Sequence, residues 1–180
     1  MGLYLDSEEI DAKTGDIKER IIVGIFGSFS ELNKPILEGL KKYLKQNKYG
    51  NVYTADDFPY ESPLTQENEA RYAVAYLKSM KMVDDCDMII LFLFVPEKDF
   101  GINDSAISEI QRSYSEHKRN VIVILEDGYN LHSNIKGIRY LSLKFVGWNW
   151  ESFTKNKMSN CYEYVKNTCH SLILERFVRR

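Results

Sequence analysis

The chain lacks a long apolar run, a surplus of one charge and a paired set of cysteines. No apolar stretch approaches the roughly 18 residues of a membrane span, so no membrane partner is expected. Acids number 26 and lysine plus arginine 24, for a net charge of −2. That balance provides no basic field for nucleic acid. The three cysteines, Cys86, Cys161 and Cys169, are an odd set without Cys-x-x-Cys spacing. They read as reduced, buried or half-buried thiols rather than metal or redox groups. His117, His132 and His170 are isolated, so no metal is expected. The opening stretch, Met1 to Glu19, is acidic and has no apolar core. It does not read as a signal peptide, and the expected location is the cytoplasm.

Several phosphate and nucleophile motifs are also missing. Gly24 lies within the first apolar run and Gly27 follows it, but they form neither a P-loop nor a Gly-x-Gly-x-x-Gly fingerprint. A Gly-x-Ser-x-Gly elbow is absent. No acid directly follows the first run, so a phospho-acceptor site is not indicated there. No cofactor is expected.

What the chain does have is a series of short apolar runs separated by amphipathic stretches. With 180 residues it is long enough for one domain with a self-sufficient core. Ile21 to Phe26, Val52 to Ala55, Met88 to Val95, Val121 to Leu125 and Leu141 to Val146 read as strands. The two central runs show no alternation, as expected of strands buried on both faces. Gly147-Trp148 reads as the break after the last run.

Ser30 is a plausible N-cap for a helix from Glu31 to about Gln46. Its apolar stripe is Ile36, Leu37, Leu40, Tyr43 and Leu44, and Lys41, Lys42 and Lys45 lie on its wet side. A second helix spans about Gln66 to Asp84, with Ala70, Ala73, Val74, Leu77 and Met80 at helical spacing. A third starts near Asp104. The tail, 151–180, is helical, with Tyr162, Val165, Cys169, Leu172 and Ile173 on one face.

Strands alternating with helices predict an α/β domain. The expected fold is a three-layer flavodoxin-like sandwich, with five mainly parallel strands in the order 2-1-3-4-5 and a long C-terminal helix. The expected organisation is an N-terminal arm or frayed hairpin (1–20), the α/β domain (21–150) and a helical extension of that domain (151–180).

Ligands of open parallel sheets collect outside the carboxyl ends of the strands. The loop Pro96 to Asn103 lies at such an end, and Glu109 sits in the first turns of the helix that follows. Glu109 lies beside Ala106, on the flank of Ser105, Arg112 and Ser113. Two readings are open: a partly desolvated acid at the ligand edge, or a solvated glutamate paired with Arg112 or Ser113. Trp148, Trp150, Phe153 and Tyr162 also have two readings, an exposed aromatic patch for a partner or part of the core.

The run from Cys86-Asp87-Met88 through Phe94-Val95-Pro96-Glu97, then Asp104 to Glu109-Ile110, then Val121 to Gly128-Tyr129, resembles the nucleoside 2-deoxyribosyltransferase family. Phe26-Gly27-Ser28-Phe29 is similar to that family's turn that meets the nucleoside. The resemblance implies that Glu109 is a nucleophile that attacks the anomeric carbon and displaces the base. It implies a nucleoside or nucleotide substrate contacted by Gly27, Ser28 and Ser30, with Asn103 or Asp104 on the sugar hydroxyls. It also implies a homo-oligomer, in the simplest case a homodimer.

Ser105 stands where that family usually has glycine, and Ser79 where it has a base-handling aspartate. Asp56 or Asp57 would supply the missing acid. TIR domains that hydrolyse NAD are similar from Phe94-Val95 to Glu109-Ile110 and at Asp57-Phe58. That second likeness adds NAD as a candidate substrate. A non-catalytic nucleotide sensor is the further alternative, consistent with Ser79 and Ser105.

Overall fold

The structure is a computed structural model. It describes residues 7–27, 33–54, 57, 77, 80–93, 120–126, 144–148 and 158–178. Five strands form one parallel sheet: β1 (Ile22–Phe26), β2 (Asn51–Tyr53), β3 (Met88–Leu93), β4 (Val121–Glu126) and β5 (Lys144–Trp148). Their order across the sheet is β2-β1-β3-β4-β5. The α/β class, the parallel pairing and the order 2-1-3-4 agree with the sequence, and the arrangement is consistent with a flavodoxin-like fold.

β3 lies between β1 and β4, and all six of its residues are buried. Its Met88, Ile90 and Phe92 face one side, together with Val23, Ile25, Ile122 and Ile124, in a single core cluster. Its Ile89 and Leu91 are buried on the opposite side. A strand covered on both faces has no wet side to alternate with, which is why its sequence is continuously apolar.

Helix α1 (Ser7–Arg20), helix α2 (Lys34–Gln46) and helix α3 (Met158–Ile173) pack on the face of that cluster. In α2 the expected stripe is buried at Ile36, Leu37, Leu40 and Leu44. In α3 the same holds for Tyr162, Val165, Cys169, Leu172 and Ile173. Tyr162 joins the two helices, because its hydroxyl donates to the Ile36 carbonyl at 2.7 Å. It is a core residue rather than part of an exposed patch.

α2 begins at Lys34, later than expected, with Pro35 in its first turn. Asn33 precedes it and makes no side-chain cap bond. The helix ends in a Schellman motif. The Lys48 N–H donates to the Lys45 carbonyl at 3.1 Å, and the Tyr49 N–H to the Leu44 carbonyl at 3.2 Å. Lys48 takes the left-handed position, with φ 69°, where glycine is usual.

Three expectations are corrected. Residues 7–20 are not an arm or hairpin but a helix, packed against α3 and the π-helical turn Leu174–Val178 that continues it. β5 runs through Gly147 and Trp148, which pair with Leu125 and Glu126, rather than breaking before them. Pairing along β4 overrides the turn preference of that glycine. Leu77, which keeps helical spacing with Met80 and so reads as part of one apolar stripe, is 66% exposed.

Candidate functional site at the carboxyl edge

All five strands are parallel, so their carboxyl ends share one edge of the sheet. The chain goes from β1 outward to β2, then returns past β1 to β3. The reversal of direction therefore falls between β1 and β3, and such a reversal opens a crevice at the carboxyl edge. Gly27 is the first residue beyond β1 there. Its φ of 157° suits glycine better than a residue bearing a side chain. β3 ends at Leu93 on the same edge, beside Phe26, because Phe26 pairs with Leu91.

Asp57 lies just past β2 and is held by a polar network. Lys41 Nζ donates to its two carboxylate oxygens at 2.6 and 2.7 Å. The Thr54 backbone N–H donates to Oδ2 at 2.7 Å, and the Asp57 N–H donates back to the Thr54 carbonyl at 3.0 Å. The fully buried Thr54 hydroxyl donates to Glu38 Oε1 at 2.7 Å. Lys41 also lies 3.8 Å from Glu38.

The Asp57 side chain is 26% exposed and that of Lys41 17%. Partial burial of Asp57 opposes its charge. The hydrogen bonds from Lys41 and Thr54, with the charge of Lys41, outweigh that and hold the carboxyl below its ordinary value. Asp57 therefore stays ionised and paired at neutral pH. It anchors the chain after β2 to α2 rather than standing as a proton donor. Outward along α2, a depression of about 460 Å³ is lined by Glu38, Lys41, Lys42, Lys45 and Gln46.

Of the expected site residues, the structure describes Gly27 and Asp57, at the ends of neighbouring strands. Ser28, Ser30, Asp56, Asn103, Asp104, Ser105 and Glu109 lie outside the described residues. The network partners Glu38, Thr54 and Lys41 were not singled out for the site in sequence. A signal existed at one of them: Thr54-x-x-Asp57 has capping-box spacing, with aspartate in place of Glu or Gln.

Burial pushes the Cys169 thiol up to about 12 and that of Cys161 up to about 11. Neither is a thiolate nucleophile at neutral pH. Among the described residues, no group of three or more His, Cys, Asp or Glu side chains could hold a metal. No helix among them is long and apolar enough to cross a membrane.

The sequence matches no family model and none of the curated proteins. Among solved structures, the chain is similar to the metal-soaked Flv1 flavodiiron core of Synechocystis sp. PCC6803. The two share 8% identity at a TM-score of 0.54, over 91% of this chain and 38% of that one. The chain thus spans well under half the length of that neighbour, and the likeness is one of fold.

Proposed function

We propose that the chain cleaves or transfers the N-glycosidic bond of a nucleoside or nucleotide, with Glu109 as the nucleophile, in the manner of the nucleoside 2-deoxyribosyltransferases it resembles. The observation that supports this reading is the strand order. It sets the ends of β1 and β3 side by side at the edge where parallel sheets take ligands. Ser28 and Ser30 follow β1 in sequence, and the run from Phe94 to Glu109 follows β3.

In this mechanism the Glu109 carboxylate attacks C1′ as the bond to the base breaks. The base departs with the bonding electrons and picks up a proton. Water or a second base then displaces the carboxylate from the sugar. Gly27, Ser28 and Ser30 face the sugar or its phosphate, and Asn103, Asp104 and Ser105 its hydroxyls. Asp56 is the acid left to assist the base, because Asp57 is paired with Lys41. The working form is a cytoplasmic homodimer of a three-layer, five-stranded flavodoxin-like sandwich with a long C-terminal helix, and it uses no metal or cofactor.

Two other readings have support in the sequence. Asp57-Phe58 after β2 favours a TIR-like NAD glycohydrolase. Ser79 and Ser105 favour a sensor that binds nucleotide without breaking it. One assay separates the three: incubation with deoxynucleosides, ribonucleosides, nucleotides and NAD, with free base read by chromatography. Base release from a nucleoside or nucleotide is expected. Glu109→Gln should lower it at least about a thousandfold without changing the melting temperature. Wild-type rates in Glu109→Gln would remove the nucleophile. Release from NAD alone selects the glycohydrolase. A raised melting temperature with no product selects the sensor.

A further inference from the structure

At the amino edge of the sheet, opposite the edge proposed for catalysis, Lys18 lies within electrostatic reach of three other basic side chains from two further elements. Lys18 comes from the last turn of α1 and Lys48 from the turn between α2 and β2. Lys166 and His170 stand one turn apart on α3. The turn is docked on α1: the Gly50 N–H donates to the Lys18 carbonyl at 3.0 Å. A Cβ at Gly50 would come within 2.5 Å of the Glu19 carbonyl oxygen, so the close approach needs glycine.

Lys18 Nζ stands 5.5 Å from the centroid of the Tyr49 ring, a cation–π arrangement. That ring is 1% exposed, and its hydroxyl has no partner among the described residues. Burial, then Lys166 and Lys48, lower the pKa of Lys18. Burial and Lys18 lower that of His170, and Lys166 adds to this. Asp11 acts in the opposite sense on both groups, and the Cys169 thiol does so on Lys18. None of the three lysines has a carboxylate within 4.0 Å among them.

Helix C-termini attract cations, but that does not account for the cluster. The last four carbonyls of α1 already have donors. Ile17 accepts from the Ile21 N–H and Lys18 from the Gly50 N–H, and Glu19 and Arg20 accept from the Asn51 side chain. Lys166 stands about two turns short of the end of α3. Lys48 is an independent sign. A left-handed residue with a side chain is costly where glycine is not, yet the chain places an ammonium there.

We propose that Lys18, Lys48, Lys166 and His170 form a binding site for a multiply charged phosphate-type anion, distinct from the carboxyl-edge site. Three lysine charges call for a ligand with at least two negative charges. A phosphate group has enough oxygens to take donors from three elements at once. The inference does not depend on the proposed reaction.

The test is thermal unfolding with pyrophosphate against sodium chloride of equal ionic strength, with inorganic phosphate and a nucleoside diphosphate as further arms. Pyrophosphate at about a hundredfold excess over its Kd should raise Tm by about 5–10 °C beyond the chloride control. The rise should fall by more than half in Lys48→Gly and in Lys166→Gln, and persist in Lys45→Gln on the outer face of α2. Lys48→Gly relieves the positive φ, so the variant should fold at least as well as the parent. A nucleoside diphosphate that outperforms pyrophosphate marks a nucleotide phosphate as the ligand, and equal responses mark the free anion. The proposal is overturned if pyrophosphate does no more than chloride, or if Lys48→Gly and Lys166→Gln respond like the parent.

Discussion

Gly39 shows how one missing methyl group can join two helices. It lies within α2, where alanine is ordinarily better by about 1 kcal/mol. A Cβ there would meet the Tyr162 hydroxyl oxygen at 2.5 Å and its Cζ at 3.2 Å. Tyr162 is pinned by its bond to the Ile36 carbonyl, so it has little room to yield. Gly39→Ala should therefore destabilise the protein by about 1–3 kcal/mol in urea unfolding, against its helix propensity. Tyr162→Phe alone should cost about 1 kcal/mol. The double variant should cost less than the sum, since the hydroxyl is the closest clash. A stabilised Gly39→Ala would refute this account of the joint.

Asp57 gives a pH prediction at the same scale. Its folded pKa lies below the ordinary 3.8. Its contribution is therefore fully present above that value and disappears as pH falls through the lower, folded one. Asp57→Asn should cost about 1 kcal/mol near neutrality. The gap between variant and parent should close in strong acid, and a gap that stays constant down to pH 2 would contradict the linkage.

Among the elements, burial explains both what the sequence made legible and what it hid. β3 and β4 were readable because both faces are covered, so their composition alone marks them. α2 and the tail were readable because each buries one stripe. α1 was not, because its one fully buried side chain is polar. Thr14 is 3% exposed, and its hydroxyl donates to the Ile10 carbonyl one turn back at 2.6 Å. A threonine satisfied inside its own helix needs no external partner, so it leaves no hydrophobic period to detect. At the candidate site, the carboxyl edge followed from the strand pattern. The Lys41–Asp57 pair did not, since its partners are 16 residues apart on different elements and Lys41 read as part of a wet face. The stripe reading makes a measurable contrast. Leu40→Ala, fully buried on α2, should cost about 2–5 kcal/mol in urea unfolding. Leu77→Ala, 66% exposed, should stay within about 0.5 kcal/mol. Similar costs for both would mean that burial does not rank these positions.

At the scale of the whole molecule, the sheet has two ends with different chemistry. The carboxyl edge holds the reversal between β1 and β3, and the base-release assay belongs there. The amino edge is stapled instead: Asp87 Oδ2 accepts from the Ile22 N–H at 2.8 Å, and Asn120 Nδ2 donates to the Asp87 carbonyl at 3.1 Å. α1 is covered by residues from the far end of the described chain. Its Ile10 and Ile17 pack on the same cluster as Val178 and Leu172, nearly the whole described chain away. α1 is made before the sheet and the turn Leu174–Val178 after it, so the two meet only once the sheet has been synthesised. A growing chain would therefore carry the inner side of this helix uncovered throughout synthesis of the sheet.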